Sequence, residues 1–466
     1  MAFLLPPEAR FSAERMAATS AFGIAIAVNI GCPYILGPRA PTCGPRGLRL
    51  DEEIFDSTKA GVAVLKHLEG RIEMLNAGVI GQFNDSYAPI PDGVARVVRE
   101  YAGWLNEHHT PACVVTTSAP GYRDSDPFAV YRYLSVPTVV RPPYRFGLPW
   151  VDFAFWRRMR AIDFRLVHAH CPFAAGQVAM KIARQRKIPL VASFHTKYRA
   201  DFERCFPASV VDWAIRKIVR FFEAADHVWT PGEGSAETLR SYGYRGKIDI
   251  MPNGSDVYLP AIERPRLAAE ADGELGTKPD ENVFLFVGQM VLEKNVRLLI
   301  EAMDHLRRDG LKNRLFFVGG GYAQREMEEL VRQRQLGEQV RFLGVVHDRE
   351  RMKRLYARTT LFLFPSQYDT GSLAMREAAG CGVPSLLVTP STVAEVVRDG
   401  RNGFLAANDA ESYATRIREI LARPALLARC GEEAQETIYR SWKRIVADVA
   451  ARYDEILHVG GYRAAA

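Results

Sequence analysis

In "FPSQYDTGSLAMREAAGCGVPSL" (364–386), Asp369 and Glu377 stand eight positions apart, across the end of an apolar run and the start of a small-residue helix. Open α/β sheets bind ligands outside the carboxyl ends of their strands, so this junction is where chemistry is expected. Thr370, Gly371 and Ser372, with Leu373 opening the helix, would expose unpaired backbone N–H groups, a seat for phosphate. Glu377 then lies about 9 Å along the axis from Gly371 and leans back towards the helix start. That separation suits a ribose beyond a diphosphate, with Asp369 facing a sugar hydroxyl on the other side. The plainer reading is a helix cap and a surface acid, and with 54 acidic residues in the chain such a spacing also arises by chance. The surrounding motifs have to decide.

In "FVGQMVLEKN" a strand ends at Gly288, Gln289 follows, and Lys294 comes six residues after the glycine. A lysine ammonium there suits a leaving phosphate, although a solvated lysine at a helix start is the commoner case. "FHTKY" puts His195 at a strand end in the first half of the chain, and "VHAHCPF" puts His168 and His170 at another. His195 and His170 are candidates for orienting an acceptor; a structural histidine is the alternative. Gly93, in "YAPIPDGVARVV", falls at the first strand-to-helix turn, where a missing Cβ lets backbone approach a ligand or simply makes a tight turn. "DSD" at 124–126 has the form of a metal-binding pair but lies in a Pro-flanked polar loop and reads as a turn. No metal site and no cofactor are expected.

These residues need a scaffold of strand ends. "AGVIGQF", "ACVVTTSAP", "FRLVHAHCP", "IPLVASFHT" and "HVWTP" are short apolar runs separated by helical segments. That alternation belongs to a parallel sheet covered on both faces. The same pattern restarts with "NVFLFVGQ", "RLFFVGGG", "VRFLG", "LFLFPS" and "GVPSLLV". The reading is α/β, with two similar domains: 77–257, then a linker at 258–280 with prolines, glycines and no strong period, then 281–435. Residues 436–466 read as a C-terminal helix and tail, with Ile438, Trp442, Ile445, Val449 and Tyr453 near one stripe; the helix either packs on the second domain or crosses back to the first. Residues 1–76 have no counterpart in the repeat and are set apart as an N-terminal extension; Met74 would serve as an alternative start.

Length and composition agree with two folded domains: 466 residues, 48% hydrophobic and 25% charged. A net charge of +7 is mild for this length, favouring phosphorylated small molecules or an anionic lipid surface over nucleic acid. The seven cysteines are scattered without a C-x-x-C pair, which suits a reducing, cytoplasmic setting and no structural zinc. The apolar stretch 21–37 is shorter than a bilayer span and carries Asn29 and Pro33, and no clean cleavage site follows it. "WVDFAFWRRMRAIDFR" (150–165) interleaves aromatics with arginines. It is either an ordinary amphipathic helix or one lying at an anionic membrane. No Walker loop, nucleophile elbow or dinucleotide fingerprint stands where it would have meaning.

Taken together, "DSYAPIPDGVARV", "VHAHCPFAAG", "VASFHT", "MPNGSD", "FVGQMVLEKN", "FFVGGG", "VRFLG", "LFLFPSQYDTGSLAMREAAGCGVPSLL" and "DGRNGFL" closely resemble the family 4 glycosyltransferases across about 77–455. The resemblance implies a GT-B fold, two Rossmann-like domains facing across a cleft. It further implies metal-independent, retaining transfer of a hexose from a nucleoside diphosphate sugar of the UDP-glucose or GDP-mannose type. A lipid or envelope-polysaccharide acceptor is expected, at the cytosolic face of a membrane. By resemblance, Asp369 and Glu377 take the family's acid pair, holding the donor sugar and the ribose. Lys294 is the phosphate lysine, His195 the strand-end histidine, Gly93 the glycine turn, and Val345 and Val346 lie beside the base. Two positions depart from the pattern: Asp369 is one methylene shorter than the usual Glu, and Gln289 stands where many members carry arginine. Two alternatives stay open: on these departures, a nucleotide-sugar binding protein with lost or weak transfer, and on the shared architecture, a nucleotide-sugar epimerase, against which the order of the motifs counts.

Overall fold

The computed structural model describes residues 78–90, 92–138 and 143–459. The expectations for the N-terminal extension, for the apolar stretch 21–37 and for the end of the tail lie outside the described residues.

The first sheet has seven parallel strands in the order β3-β2-β1-β6-β7-β8-β9. In chain order its members are β1 (Val79–Phe83), β2 (Ala112–Thr117), β3 (Val130–Tyr133), β6 (Phe164–Ala169), β7 (Leu190–Ser193), β8 (His227–Thr230) and β9 (Asp249–Ile250). An antiparallel hairpin of β4 (Ser135–Pro137) and β5 (Arg145–Gly147) is inserted between β3 and β6. Sequence reading had passed over β3 and this hairpin, whose short, half-exposed strands lack an apolar run. The central strands are buried along their length because helices cover both faces, which is why their sequences run apolar without alternation.

Helix α1 (Gly93–His108) shows how these elements are specified locally. Asp92 caps it, accepting from Val94 N–H at 2.7 Å and Ala95 N–H at 3.0 Å, and Ala95, Val98, Ala102 and Leu105 recur on its buried face. Gly93 is the first helical residue, and the space its missing Cβ leaves is open. Helices α2 (Phe153–Ala161), α3 (Ala174–Arg186), α4 (Tyr198–Glu203), α5 (Ala208–Glu223) and α6 (Glu233–Ser241) complete the first half.

The stretch expected as a linker holds helix α7 (Arg264–Leu275) instead, with Leu267, Ala271 and Leu275 buried in the second core. Pro265 sits within the first turn, where its missing N–H costs nothing, so a residue read as a breaker is a helix starter. The second sheet is also all parallel, in the order β12-β11-β10-β13-β14-β15. Its strands are β10 (Asn282–Val287), β11 (Asn313–Val318), β12 (Val340–Phe342), β13 (Leu361–Phe364), β14 (Ser385–Thr389) and β15 (Phe404–Ala407). Helices α8 (Val296–Arg308), α9 (Gln324–Gln333), α10 (Arg349–Arg358), α11 (Leu373–Gly380), α12 (Ala410–Leu421) and α13 (Pro424–Thr437) pack against it.

The expected helix from 436 is divided. Helix α13 ends at Thr437, Ser441 accepts from Arg444 N–H at 3.3 Å, and α14 (Trp442–Val459) begins anew. The apolar stripe divides with it: Ile438 belongs to the second core, while Trp442, Ile445, Val449 and Tyr453 pack with Tyr101 and Leu105 of α1 in the first. Of the two alternatives, α14 takes the crossing back.

Candidate active site

The carboxyl ends of β7, β10 and β13 and the start of α11 bring most of the expected residues together. Ser372 caps α11 by accepting from Met375 N–H at 3.2 Å, so the helix begins just past the loop that carries Asp369, Thr370 and Gly371. That loop is tied down on both sides. Ser366 donates to Asp369 Oδ2 at 2.5 Å, and Lys294 Nζ bonds Asp369 Oδ1 at 3.0 Å. The Thr370 hydroxyl donates to the His195 carbonyl at 2.5 Å, and Asn253 Nδ2 to the Gly371 carbonyl at 2.9 Å. A Cβ on Gly371 would meet Pro231 at 3.0 Å, so the loop's approach to the first half depends on the glycine.

Lys294 lies over the mouth of Gly288, whose added Cβ would come within 3.2 Å of its Nζ, and its ammonium also sits 5.6 Å from the Phe364 ring centre. Helix start, ammonium and carboxylate therefore share one small region, and the ammonium is paired with Asp369 at 3.0 Å. Lys197, passed over in sequence reading, reaches the same loop from the first half: its Nζ donates to the Gln367 carbonyl at 2.7 Å. Burial lowers its pKa, and the negative charge of Asp369 opposes that shift. Its signal was its place two residues after a strand-end histidine.

Glu377 is not the surface acid of the plainer reading. It is 4% exposed and accepts from Arg96 Nη1 at 2.7 Å, Arg349 Nη2 at 3.0 Å and the Tyr356 hydroxyl at 2.9 Å. Arg349 also bonds Asp256 at 2.6 Å, and Arg96 pairs with the same carboxylate. A carboxylate has about four lone-pair positions, so three donors leave roughly one for a further hydroxyl. Arg96 comes from α1 of the first half and Arg349 from the start of α10, so this cluster ties the halves together. Sequence reading missed all three partners, because Arg96 lies 281 positions away and Arg349 and Tyr356 lie 28 and 21 positions away on another helix, beyond any local pattern.

The histidines form the opposite wall. His195 is part-exposed beyond β7, while His168 and His170 are buried. His170 and His195 meet through Nδ1 and Nε2 at 3.1 Å. Burial holds all three imidazoles neutral near pH 7: His195 is pushed down to about 4, and His168 and His170 lie well below the ordinary histidine value, with neighbouring imidazoles adding to the effect. Val345, after Gly344 at φ +70°, is 50% exposed, and Val346 packs on the second core. The acids of "DSD" are held by cations and a phenol: Asp124 by Arg132 at 2.7 Å, Asp126 by Arg99 at 2.6 Å and Tyr87 at 2.9 Å.

Residues 91–258 match the family model described as "Glycosyltransferase Family 4", and 269–437 match "Glycosyl transferases group 1". The chain is 30% identical over 322 residues to a D-inositol 3-phosphate glycosyltransferase of Nocardiopsis dassonvillei, covering 65% of this chain and 70% of the relative. The chain belongs to the family 4 glycosyltransferases. An alpha-monoglucosyldiacylglycerol synthase of Streptococcus pneumoniae is 22% identical over 352 residues, 74% of this chain and 79% of that one. Among solved structures, a sucrose-phosphate synthase from Thermosynechococcus elongatus superposes with a TM-score of 0.70 at 21% identity, covering 82% of this chain and all of its own (100%). An Anabaena protein, Alr3699/HepE, in complex with UDP-glucose superposes at 0.67 with 18% identity, over 81% and 100%. These likenesses show the GT-B fold. As a family 4 member, the chain is a hexosyltransferase acting on nucleotide sugars.

Proposed function

We propose that this glycosyltransferase moves a hexose, with retention and without a metal, from a donor of the UDP-glucose or GDP-mannose type to a lipid acceptor at an anionic membrane surface. The observation that carries the lipid reading is the outer face of the first half. Trp150, Val151 and Phe153, at the start of α2, are 49%, 61% and 83% exposed, and Arg157, Arg158 and Arg160 follow on the same helix. Phe155 and Met159 of that helix are buried, so the exposed aromatics are surplus to its own packing. Such a surface, apolar with a basic fringe, suits a lipid headgroup layer. Lys181 of α3 continues it, 4.3 Å from the Trp156 ring. Beyond α3 a groove of about 480 Å³ is lined by Phe173, Met180, Phe202 and Ile218, with Arg184 and Lys217 exposed at it. Phe173 packs on Tyr198, three residues past His195, with ring centres 5.4 Å apart, and the groove would take a lipid tail. Among the described residues no helix is long and apolar enough to cross a membrane. The relatives named as monoglucosyldiacylglycerol synthases fit this acceptor class.

In this reading the second half takes the nucleotide. Glu377 receives the ribose at its remaining lone-pair position, Val345 and Val346 flank the base, and Gly288, Gln289, Lys294 and the loop from Thr370 to Leu373 surround the diphosphate. As the bond to the sugar breaks, negative charge grows on the phosphate and positive charge on the sugar ring. Lys294 and the N–H groups at the start of α11 stabilise the first; Asp369 lies near the second. His195 and His170 mark the acceptor wall, and Gly93 opens the first half's helix towards the same cleft. The acceptor hydroxyl attacks from the face the nucleotide leaves, and its proton passes to the departing phosphate.

The test is release of nucleoside diphosphate from UDP-, GDP- and ADP-sugars, with and without membrane lipid extract, alongside co-sedimentation with phosphatidylglycerol and phosphatidylcholine vesicles. Lipid-dependent release is expected from one donor. Binding to the anionic vesicles alone is expected, and the triple change Arg157→Glu, Arg158→Glu, Arg160→Glu should abolish it. Release stimulated by soluble saccharides and indifferent to lipid would overturn the lipid acceptor.

A further inference from the structure

The cleft histidine is one end of a buried hydrogen-bond chain whose far side is anchored on the C-terminal helix. From Ser193 the links run as follows: Ser193 Oγ to His168 Nε2 at 2.7 Å, His168 Nδ1 to the Tyr453 hydroxyl at 2.5 Å, and that hydroxyl to Gln82 Nε2 at 3.2 Å. Gln82 Oε1 then meets His170 Nε2 at 2.8 Å, and His170 Nδ1 meets His195 Nε2 at 3.1 Å. Gln82, His168, His170 and Tyr453 are all buried, and the Tyr453 ring stacks on Trp229 with centres 5.4 Å apart.

A neutral imidazole has one donor nitrogen and one acceptor nitrogen, so a chain of them has a direction. If Gln82 turns its carbonyl to His170, then His170 carries its proton on Nε2. Its Nδ1 accepts from His195 Nε2–H, and His195 Nδ1 is left as a lone pair. Turning the amide over reverses every link and leaves a proton on His195 Nδ1. Between Gln82 and His195 any mixed state sets two donors or two lone pairs face to face in a buried place, which costs on the order of 1–3 kcal/mol; the phenol oxygen can accept from both sides, so the state of His168 and Ser193 beyond it is not passed on in the same way.

The placement of the Gln82 amide gives the direction. Its Nε2 donates to the Tyr453 hydroxyl, which leaves that hydroxyl's proton for His168 Nδ1, and its Oε1 faces His170 Nε2, which must then be the donor. Among the described residues His195 Nδ1 takes no hydrogen bond, and the ring is part-exposed.

We propose that Tyr453 is a positioning residue: through Gln82 and His170 it keeps the His195 Nδ1 lone pair bare towards the cleft, as acceptor for a substrate hydroxyl. The inference rests on the reading of His195 as part of the acceptor wall. It also gives α14 a task beyond packing, since the helix that follows the nucleotide domain sets the polarity of the opposite wall.

The test uses the full chain labelled with 15N-histidine, so that the proton-bearing nitrogen of each ring is read directly by NMR. The wild type is expected to show His195 protonated at Nε2. Tyr453→Phe keeps the ring and removes the hydroxyl, which frees the Gln82 amide to turn; the His195 signals should then move towards the Nδ1–H form, and kcat should fall about two- to tenfold with donor KM unchanged. Gln82→Leu, which cuts the chain one link nearer the cleft, should give the same shift if the tyrosine variant folds poorly. Ser193→Ala, beyond Tyr453, should leave the His195 proton in place. A wild-type proton on Nδ1, an unmoved signal in Tyr453→Phe, or a shift in Ser193→Ala would overturn the proposal. A moved proton with unchanged kcat would instead show that His195 does not touch substrate, removing both that reading and the positioning role.

Discussion

The two halves are built alike and use their strand ends in opposite ways. Both have an all-parallel sheet wrapped by helices, and both place chemistry beyond the carboxyl ends of central strands. In the second half those ends carry paired charges: Lys294 with Asp369, and Glu377 with Arg349. In the first they carry three neutral imidazoles, an amide and hydroxyls in an internal chain, beside the carboxyl of Asp85, whose pKa burial raises, and with Arg96 and Lys197 at the rim. The difference matches the ligands proposed for each. A diphosphate is met by fixed charges and helix-start N–H groups, whereas a hydroxyl acceptor needs direction rather than charge, and a neutral chain supplies it.

The sharpest way to break the comparison is to remove the charge on which the second half depends. Lys294→Ala is expected to lower kcat for nucleoside diphosphate release by about 10²–10³, the scale of losing one preorganised donor to a developing anion. If turnover fell only twofold, the charge-based half of the contrast would fail. Adding charge is the converse experiment. Gln289→Arg restores a cation beside the phosphate seat, and one charge-assisted contact of about 1.5–3 kcal/mol predicts a gain of about tenfold or more in kcat. A slower enzyme would mean that the seat is already balanced by its existing cations.

The smallest expected effect concerns the neutral half. Buried His168 and His170 have folded-state pKa values below the unfolded one, so the unfolded chain binds more protons as pH falls below about 6.5. Their contribution is complete above that pH and is lost steadily below it, by about 1.4 kcal/mol per pH unit for each ring. Urea midpoints measured from pH 7 to pH 5 should fall accordingly, and His170→Gln should remove about one ring's share of the slope. A slope unchanged by that substitution would show that His170 is not kept neutral by burial.

Much of the architecture could be read locally. Apolar runs alternating with helical periods mark the strands because burial on both faces leaves no room for polar alternation. The motif "DTGSLAMRE" announces a strand-to-helix junction because Ser372 has the side chain a cap requires. Local reading failed where two signals conflicted. Pro265 and Gly273 disguised α7, whose apolar positions at 267, 271 and 275 are sparse but correctly spaced for one face. It also failed at 438–441, where a four-residue break ending in Ser441 divides a continuous apolar stripe between two cores.

What the sequence determined by itself is everything carried by short-range geometry: the two α/β repeats, the positions of His170, His195, Lys294 and Asp369 at or in the loops beyond strand ends, and the helix start beside Asp369. Tertiary structure alone decided who partners whom. Glu377 meets Arg96 across 281 positions, and His168 meets Tyr453 across 285. Such pairings depend on how sheets order their strands and where a terminal helix comes to rest. They are held by burial and charge, which act through space and leave no period along the chain.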